Sequence, residues 1–317
     1  MLITHILHQG PRAVPIINQG LSALGADINT SDNCYSFGEM VFERCHDLKQ
    51  SCIDSDFIFC GKRGTHENMF DDLHLWNKVI WYDFEDHIDY SEQIVNKCLG
   101  YFKRSTYDRN RNQINLRTSN KVIREIDYCV LDEYLGYDRN IIYNVACMFG
   151  DDDRLCRRRL NLKTQALLVN FKDSFIGTTC TKDQYGSIAR NSLKYHKNNN
   201  CFDKYLSVLN SSKIILTAAP MNHCGDSRIW EALSSRSLVF TDRLYIKNEF
   251  PLKDGEHILT YDSLNIESIN NMLNQVIDII SNDELINKFS TSSYEYVMEH
   301  HRPIDRVSYM FRSIGVF

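Results

Sequence analysis

Three runs decide how this chain is read: Ser211-Ser212-Lys213-Ile214-Ile215-Leu216-Thr217, then Gly225-Asp226-Ser227-Arg228-Ile229-Trp230-Glu231-Ala232-Leu233, then Leu238-Val239-Phe240-Thr241-Asp242. The outer two are short and apolar, as strands are, while the middle one has helical spacing behind a glycine. Strand, loop, helix and strand in immediate succession make half of a parallel α/β layer. A helix beginning just after Gly225 aims unsatisfied backbone N–H groups beyond its tip, which favours a diphosphate. Arg228 adds a charge-assisted contact of bidentate geometry. Glu231, one turn further, has the acceptor capacity for two vicinal hydroxyls. The plainer alternative is that Arg228 and Glu231 form an i, i+3 surface pair, worth a few tenths of a kcal/mol.

The same alternation extends outward. Leu2 to Leu7 reads as a strand, followed by Gln9-Gly10-Pro11 and a helical pattern from Val14 to Leu24 that stops at Gly25. Phe57 to Cys60 runs into Gly61-Lys62-Arg63-Gly64, and Val79 to Tyr82 runs into Asp83-Phe84-Glu85-Asp86. After a polar stretch from Ser105 to Asn120, a second series starts with Asn140 to Phe149, continues through Ala166 to Phe171, and reaches Lys213 to Leu216 and Leu238 to Thr241. Strands alternating with helices imply parallel sheets, which bind ligands beyond the carboxyl ends of their strands. The expected architecture is therefore α/β, with two domains: residues 1–125 and residues 126–303. Near the end, Ile269, Met272, Leu273, Val276, Ile277 and Ile280 share a helical face, and Ser281 with Glu284 reads as a capping box. Pro303 breaks that pattern, and a last helix within 304–317 is expected to cross back to the first domain.

Bulk properties narrow the function. The 317 residues are 43% hydrophobic and 24% charged, an ordinary globular composition with length for two cores. A net charge of −5 provides no global attraction for nucleic acid or anionic lipid, and no nucleic-acid partner is expected. Eleven cysteines without a Cys-x-x-Cys pair indicate neither a zinc site nor a redox dithiol, and the odd count argues against a disulfide scaffold. No apolar run approaches membrane-spanning length, and Met1 to Gln9 lacks a signal-peptide pattern, so a cytoplasmic location is expected. Asp54-Ser55-Asp56 has the form of a metal-binding Asp-x-Asp, but it precedes its strand where such a signature should end one. It is read as capping the strand entry.

The segment from Tyr205 to Asp242 resembles the donor-binding region of GT-B glycosyltransferases. Its Gly-Asp-Ser-Arg lead with Trp-Glu-Ala-Leu is most like exostosin-related and similar bacterial or viral members. The resemblance implies two Rossmann-like domains facing across a cleft, the second holding a nucleoside diphosphate sugar. It also implies that Gly225, Asp226, Ser227 and Arg228 hold the diphosphate and that Glu231 holds the ribose. Two departures stand out. A second glutamate is customary where this chain has His223, and the helix-to-strand turn has Arg236 and Leu238 in place of glycine and proline.

In such enzymes the first loop of the second domain lies beside the donor phosphates. Here that loop is Gly150 with Asp151-Asp152-Asp153, followed by Arg154, Arg157, Arg158 and Arg159. Arg158 is the arginine chosen to neutralise the leaving diphosphate, against a solvated helix face. Asp83 and Asp86, with Phe102-Lys103-Arg104, resemble the acceptor-side pattern of the same enzymes. Asp86, ahead of Asp83, is the expected general base, against a loop carboxylate paired with Lys103 or Arg104; His8 and His66 are further bases.

The resemblance thus implies hexosyl or pentosyl transfer to a hydroxyl of a glycan or other acceptor, without a metal. Transfer is expected to invert the anomeric carbon if a base is present and to retain it otherwise. A nucleotide-sugar epimerase, or a binding protein without catalysis, is the alternative on the same fold.

Overall fold

The computed structural model describes residues 1–7, 13–36, 39–61, 66–85, 87–108, 110–118, 120–135, 138–149, 156–178, 201–219, 225–245, 247 and 249–317. In chain order the first half contains β1 (Leu2–Ile6), α1 (Ala13–Ala23), β2 (Asp27–Thr30), β3 (Cys34–Ser36) and β4 (Glu39–Phe42). It continues with α2 (Leu48–Asp54), β5 (Phe57–Gly61), α3 (Glu67–Asp72), β6 (Val79–Asp83), α4 (Glu92–Lys97), β7 (Gly100–Lys103) and β8 (Ile123–Glu125). The second half contains β9 (Tyr143–Met148), α5 (Arg157–Val169), β10 (Ser174–Gly177), α6 (Cys201–Asn210), β11 (Ser212–Leu216), α7 (Ser227–Ser234), β12 (Leu238–Asp242) and β13 (Leu259–Tyr261). It closes with α8 (Ile266–Ile279), α9 (Asp283–His300) and α10 (Pro303–Ser313).

These strands form two parallel sheets, ordered β2-β1-β5-β6-β7-β8 and β10-β9-β11-β12-β13, with β3 and β4 pairing separately as an antiparallel hairpin. Central strands such as β9, β11 and β12 read as continuous apolar runs because helices cover both faces, and Val145 to Met148, Ile214 to Leu216 and Leu238 to Phe240 are all buried. In each sheet the strand order reverses once, between β1 and β5 in the first and between β9 and β11 in the second. Chain connections leave a reversal point in opposite directions, so a crevice opens there at the carboxyl ends.

Several sequence expectations need correction. Ala166 to Phe171 is no strand: Ala166 to Val169 are the last turn of α5, which ends on Asn170 in the left-handed region (φ 52°), and the strand follows at Ser174. The apolar run misled because Leu167 and Leu168 face solvent, Leu168 at 73% exposure. The cap of α9 is Asn282, whose side chain accepts from the Leu285 N–H, and not Ser281. On α8, Ile269, Met272, Leu273 and Val276 are buried, but Ile277 is 48% exposed. Pro303 opens α10 at its first turn, where a missing N–H costs nothing. Asp54-Ser55-Asp56 does cap a strand entry. The Asp56 carboxylate accepts from the Leu2 N–H at 2.8 Å and the Ser55 hydroxyl meets that of Thr4 at 2.7 Å, at the sheet end opposite the crevice.

Helix α10 packs on α1, and therefore on the first sheet's helical layer. Phe311 meets Phe57 and Phe59 edge to face at 5.4 and 5.6 Å, and burying a side chain of that size contributes about 1.5 to 3 kcal/mol. Arg306 donates from Nη2 to the Tyr128 carbonyl (2.9 Å) and from Nε to that of Asp127 (3.2 Å), fastening α10 to the segment that leaves β8. Within the first core, His5 lies between Asn18 Oδ1 (2.6 Å) and the Tyr82 hydroxyl (2.7 Å). Burial lowers its pKa to about 4, so it is a neutral hydrogen-bonding strut at ordinary pH.

Gly20 makes the α1 to α10 approach possible: a Cβ there would lie 2.4 Å from Val307 Cγ2 and 2.5 Å from the Pro303 carbonyl oxygen. Gly20→Ala would gain up to about 1 kcal/mol of helix propensity but must displace backbone, and overpacking of this kind costs about 1 to 3 kcal/mol. We expect a net loss of about 1 to 2 kcal/mol in urea unfolding. Gly177→Ala, where nothing lies within 4 Å of the added carbon, should stay within about 0.5 kcal/mol of wild type.

Candidate active site

The carboxyl ends of β9 and β11 flank the reversal point of the second sheet, and a cluster of charges sits there. Asp226 is the N-cap of α7 and its side chain accepts from the Arg228 N–H. Gly225, directly before it, has φ +74°, a left-handed conformation that glycine adopts without strain, and it turns the chain into the cap. The Asp226 carboxylate also takes two guanidiniums on Oδ2, Arg228 Nη1 at 2.6 Å and Arg159 Nη2 at 2.8 Å, with the Thr217 hydroxyl at 3.4 Å. Both guanidiniums lie 5.3 Å from the centre of the Phe149 ring at the end of β9. Arg159 further donates from Nε to the Ala218 carbonyl (3.2 Å) in the loop after β11.

Deeper in the same rim, Asp242 at the end of β12 accepts from the Ala219 N–H (2.8 Å), the Ser263 N–H (3.0 Å) and the Ser263 hydroxyl (2.7 Å). Arg158 Nη1 lies 3.8 Å from it, both side chains buried. Among the described residues the rim thus gathers the guanidiniums of Arg158, Arg159 and Arg228 with the carboxylates of Asp226 and Asp242. Glu231 is 2% exposed and its Oε2 accepts the hydroxyl of Tyr205 from α6. The opposite face of α7 carries Trp230, packed 4.6 Å from the His301 ring and beneath Arg306. The helix thus carries Arg228 and Glu231 in polar contacts, while Trp230 packs against the returning C-terminal segment.

The tip of α7 meets the first domain. Arg104 Nη1 lies 3.5 Å from the Gly225 carbonyl oxygen, while its Nε donates to the Phe84 carbonyl (3.0 Å) and its guanidinium covers the Tyr128 ring at 4.6 Å. Further along the same segment, Tyr107 and Tyr245 approach at 5.6 Å and Arg111 pairs with Asp262 at 2.7 Å, two further contacts between the domains. Lys103, Arg104 and Ser105 each donate to a carbonyl of the loop after β6: His87 (2.7 Å), Phe84 and Glu85 respectively.

Asp83 is fully buried and pairs with Lys103 Nζ at 2.7 Å, while its other oxygen accepts from the Glu85 N–H. A general base must reach a substrate hydroxyl. Asp83 instead holds the loop, so the expectation of a base there gives way to the ion pair with Lys103. Asp86 lies outside the described residues, as do Gly150, Asp151 to Asp153, Arg154, His8, Gly64 and His223.

Of the expected donor contacts, the structure brings together Gly225, Asp226, Ser227, Arg228 and Glu231 on one helix tip, with Arg158 beneath. Arg159 was a neighbour of the favoured arginine, one position away on the helix, and is the one that joins Arg228. Asp242 ended a recognised strand, which was its only signal. Arg236, where the resemblance has glycine, takes φ +56° in the left-handed region, and its guanidinium lies 4.4 Å from the Tyr294 ring. A separate cavity of about 320 Å³ lies under α10, lined by Glu125, Phe250, His300, Arg306 and Tyr309; burial raises the pKa of the Glu125 carboxyl group. It shares no residue with the charged rim. Among the described residues no group of three His, Cys, Asp or Glu side chains is placed to hold a metal.

Two Rossmann-like domains with parallel sheets facing across a cleft constitute the GT-B fold, and solved structures agree. An alpha-glucosyltransferase in complex with UDP-glucose and DNA containing an abasic site matches with a TM-score of 0.64 at 12% identity, over 99% of both chains. A glycosyltransferase from Rickettsia africae ESF-5 matches at 0.61 and 10%, over 99% of this chain and 98% of that one. An alpha-glucosyltransferase in complex with UDP and a 13-mer DNA containing a HMU base matches at 0.57 and 12%, over 99% of both. No protein-family model matches the sequence, and no curated protein does.

Removing one member of a buried charge cluster strands the others, at about 3 to 5 kcal/mol. Asn caps a helix as well as Asp does, so Asp226→Asn can keep the cap while it removes both the charge and the acceptor oxygen shared by Arg159 and Arg228. We expect Asp226→Asn to destabilise the protein by about 3 kcal/mol in urea unfolding. A loss below about 1 kcal/mol would show that the two guanidiniums do not depend on it.

Proposed function

We propose that this protein is a glycosyltransferase that moves a sugar from a nucleoside diphosphate sugar, held by residues 126–303, to a hydroxyl acceptor held by residues 1–125. The observation that carries the reading is the pair of guanidiniums, Arg159 and Arg228, fixed by Asp226 at the tip of α7, at the sheet's reversal point and facing Arg104 of the other domain. A diphosphate placed there would accept from the α7 N–H groups and from both guanidiniums, with Arg158 behind them. The ribose hydroxyls would reach Glu231, one turn along the helix.

As the bond between the anomeric carbon and the phosphate oxygen breaks, the electron pair leaves with the diphosphate and the sugar gains oxocarbenium character. Fixed guanidiniums and helix N–H groups stabilise that growing negative charge without reorganising, which is how the transition state gains more than the ground state. We propose that they replace a metal in this role. The acceptor oxygen forms the new bond and its proton passes to a carboxylate. With Asp83 committed to Lys103, inversion rests on Asp86, whose neighbours Glu85 and His87 have their carbonyls held by Ser105 and Lys103. Hexosyl donors and glycan acceptors head the screen. DNA containing a HMU base joins it because one structural neighbour was solved with that ligand.

A thermal-shift screen with UDP, GDP and ADP tests donor binding. At a hundredfold excess over the dissociation constant one of them should stabilise the protein by about 2.7 kcal/mol. The shift should shrink in Arg159→Ala, Arg228→Ala and Glu231→Ala; no shift with any of the three in wild type would sink the reading.

A transfer assay with the matching sugar nucleotide should give a glycosylated acceptor of inverted configuration in the presence of EDTA. An epimerised donor without transfer would favour the epimerase. Asp86→Asn should lower kcat by about 10² to 10⁴ with the fold intact. A retained configuration, with Asp86→Asn near wild type, would assign a same-face mechanism instead.

A further inference from the structure

We propose that the cavity under α10 is a carbohydrate site that takes one sugar unit of a neutral glycan. It shares no side chain with the charged rim, so sugar and nucleotide are held at separate places. Taken with the glycosyltransferase reading above, it is a second hold on a glycan acceptor; the chemistry of the cavity stands without that reading.

At about 320 Å³ the cavity is the size of a small-molecule site, and it lies where three parts of the chain meet. Glu125 ends β8 in the first domain, Glu249 and Phe250 follow β12 in the second, His300 ends α9, and α10 supplies the remaining wall. Phe250 stacks on the His300 ring at 4.2 Å and 7°, and Tyr309 meets Phe102 edge to face at 6.1 Å, so the aromatic walls are fixed. Arg306 spends Nε and Nη2 on the Asp127 and Tyr128 carbonyls and on His301 Nδ1 (2.7 Å); its Nη1 makes no hydrogen bond among the described residues. Asp305 accepts from the Arg302 N–H through Oδ2 (2.7 Å), which leaves Oδ1. Glu125 accepts from Thr106 Oγ1 (2.7 Å) and Gln113 Nε2 (3.2 Å), with the Lys247 backbone beside it. A carboxylate has about four acceptor positions, so one is left for a ligand.

The charges around the cavity largely cancel. Glu249 and Arg312 pair at 2.6 Å on the half-exposed outer side. Asp305 and Arg306 are of opposite sign and adjacent in α10, and burial works against the charged form of Glu125. An anion would meet more carboxylates than guanidiniums here, and a cation would meet the fixed guanidinium of Arg306. A hydroxyl suits both kinds of group, because it donates to a carboxylate and accepts from a guanidinium at once. A sugar ring presents several hydroxyls in fixed directions around a C–H surface. Oriented polar groups set between aromatic walls match that combination, the walls sheltering carbon while the polar groups fix orientation.

The test is saturation-transfer NMR titration of the whole chain with maltose, cellobiose, lactose and chitobiose, beside putrescine as a cation and inorganic phosphate as an anion. At least one disaccharide should bind with a dissociation constant of about 10 mM or below, equally with and without UDP. Phe250→Ala should weaken it about tenfold, by removing an aromatic wall that is already 39% exposed, and Glu125→Gln about threefold, by exchanging a charged acceptor for a neutral one. Should Glu125→Gln fail to fold, Phe250→Ala decides alone. No binding of any of the four sugars overturns the inference, and so does sugar binding that both folded variants keep or that UDP displaces. Putrescine or phosphate binding that Phe250→Ala abolishes, in place of sugar binding, assigns the cavity to a charged ligand and overturns it as well. Sugar binding in a protein that binds no nucleotide supports the site and counts against the donor reading alone.

Discussion

The Asp226 carboxylate sits where four demands meet: it caps α7, holds Arg228, holds Arg159 and accepts from Thr217. A buried ion cluster of this sort adds little net stability, because desolvation offsets most of the attraction. Its consequence is geometric. Two side chains that would otherwise be long and mobile are fixed side by side against Phe149, from two different helices, α5 and α7. The charged rim depends on that convergence, which brings guanidiniums from two helices onto one carboxylate.

The rim is oriented by what lies on either side of it. On the far face of α7, Trp230 packs against His301 and Arg306, so the returning C-terminal segment sets the helix's inclination. On the near side, Arg104 reaches from the loop after β7 to the Gly225 carbonyl and to the Phe84 carbonyl at once. The consecutive side chains of Lys103, Arg104 and Ser105 thereby hold the loop after β6 by its backbone, and Arg104 also touches the turn at Gly225. Asp83 supplies the counter-charge that allows Lys103 to be buried at all.

How much of this the sequence disclosed follows from how local each feature is. The β11 to β12 segment was legible because a glycine turn, a helix start and two apolar strands are neighbours in the chain, and their physics is short-range. Gly25 ending α1 was legible for the same reason, and it has φ +71°. Ala166 to Phe171 misread as a strand because four apolar residues without periodicity fit the end of a helix equally well. Asn282 displaced Ser281 as a cap because adjacent polar residues compete for one position, and only the packed helix axis decides between them. Arg159, Tyr205 and Asp242 could not be told from their neighbours, since what singles them out is the partner each meets across the fold: Asp226, Glu231 and Ser263. Asp83 looked like a base because a carboxylate at a strand end reads the same whether it faces a cleft or a buried lysine.

The most direct measurement is a crystal structure of this protein with the nucleoside diphosphate that stabilises it most. The account predicts phosphate oxygens within about 3.2 Å of the Arg159 and Arg228 guanidiniums and of the first N–H groups of α7, with the ribose hydroxyls on Glu231. A diphosphate bound elsewhere in the cleft, with Arg159 and Arg228 still turned onto Asp226 alone, would contradict it.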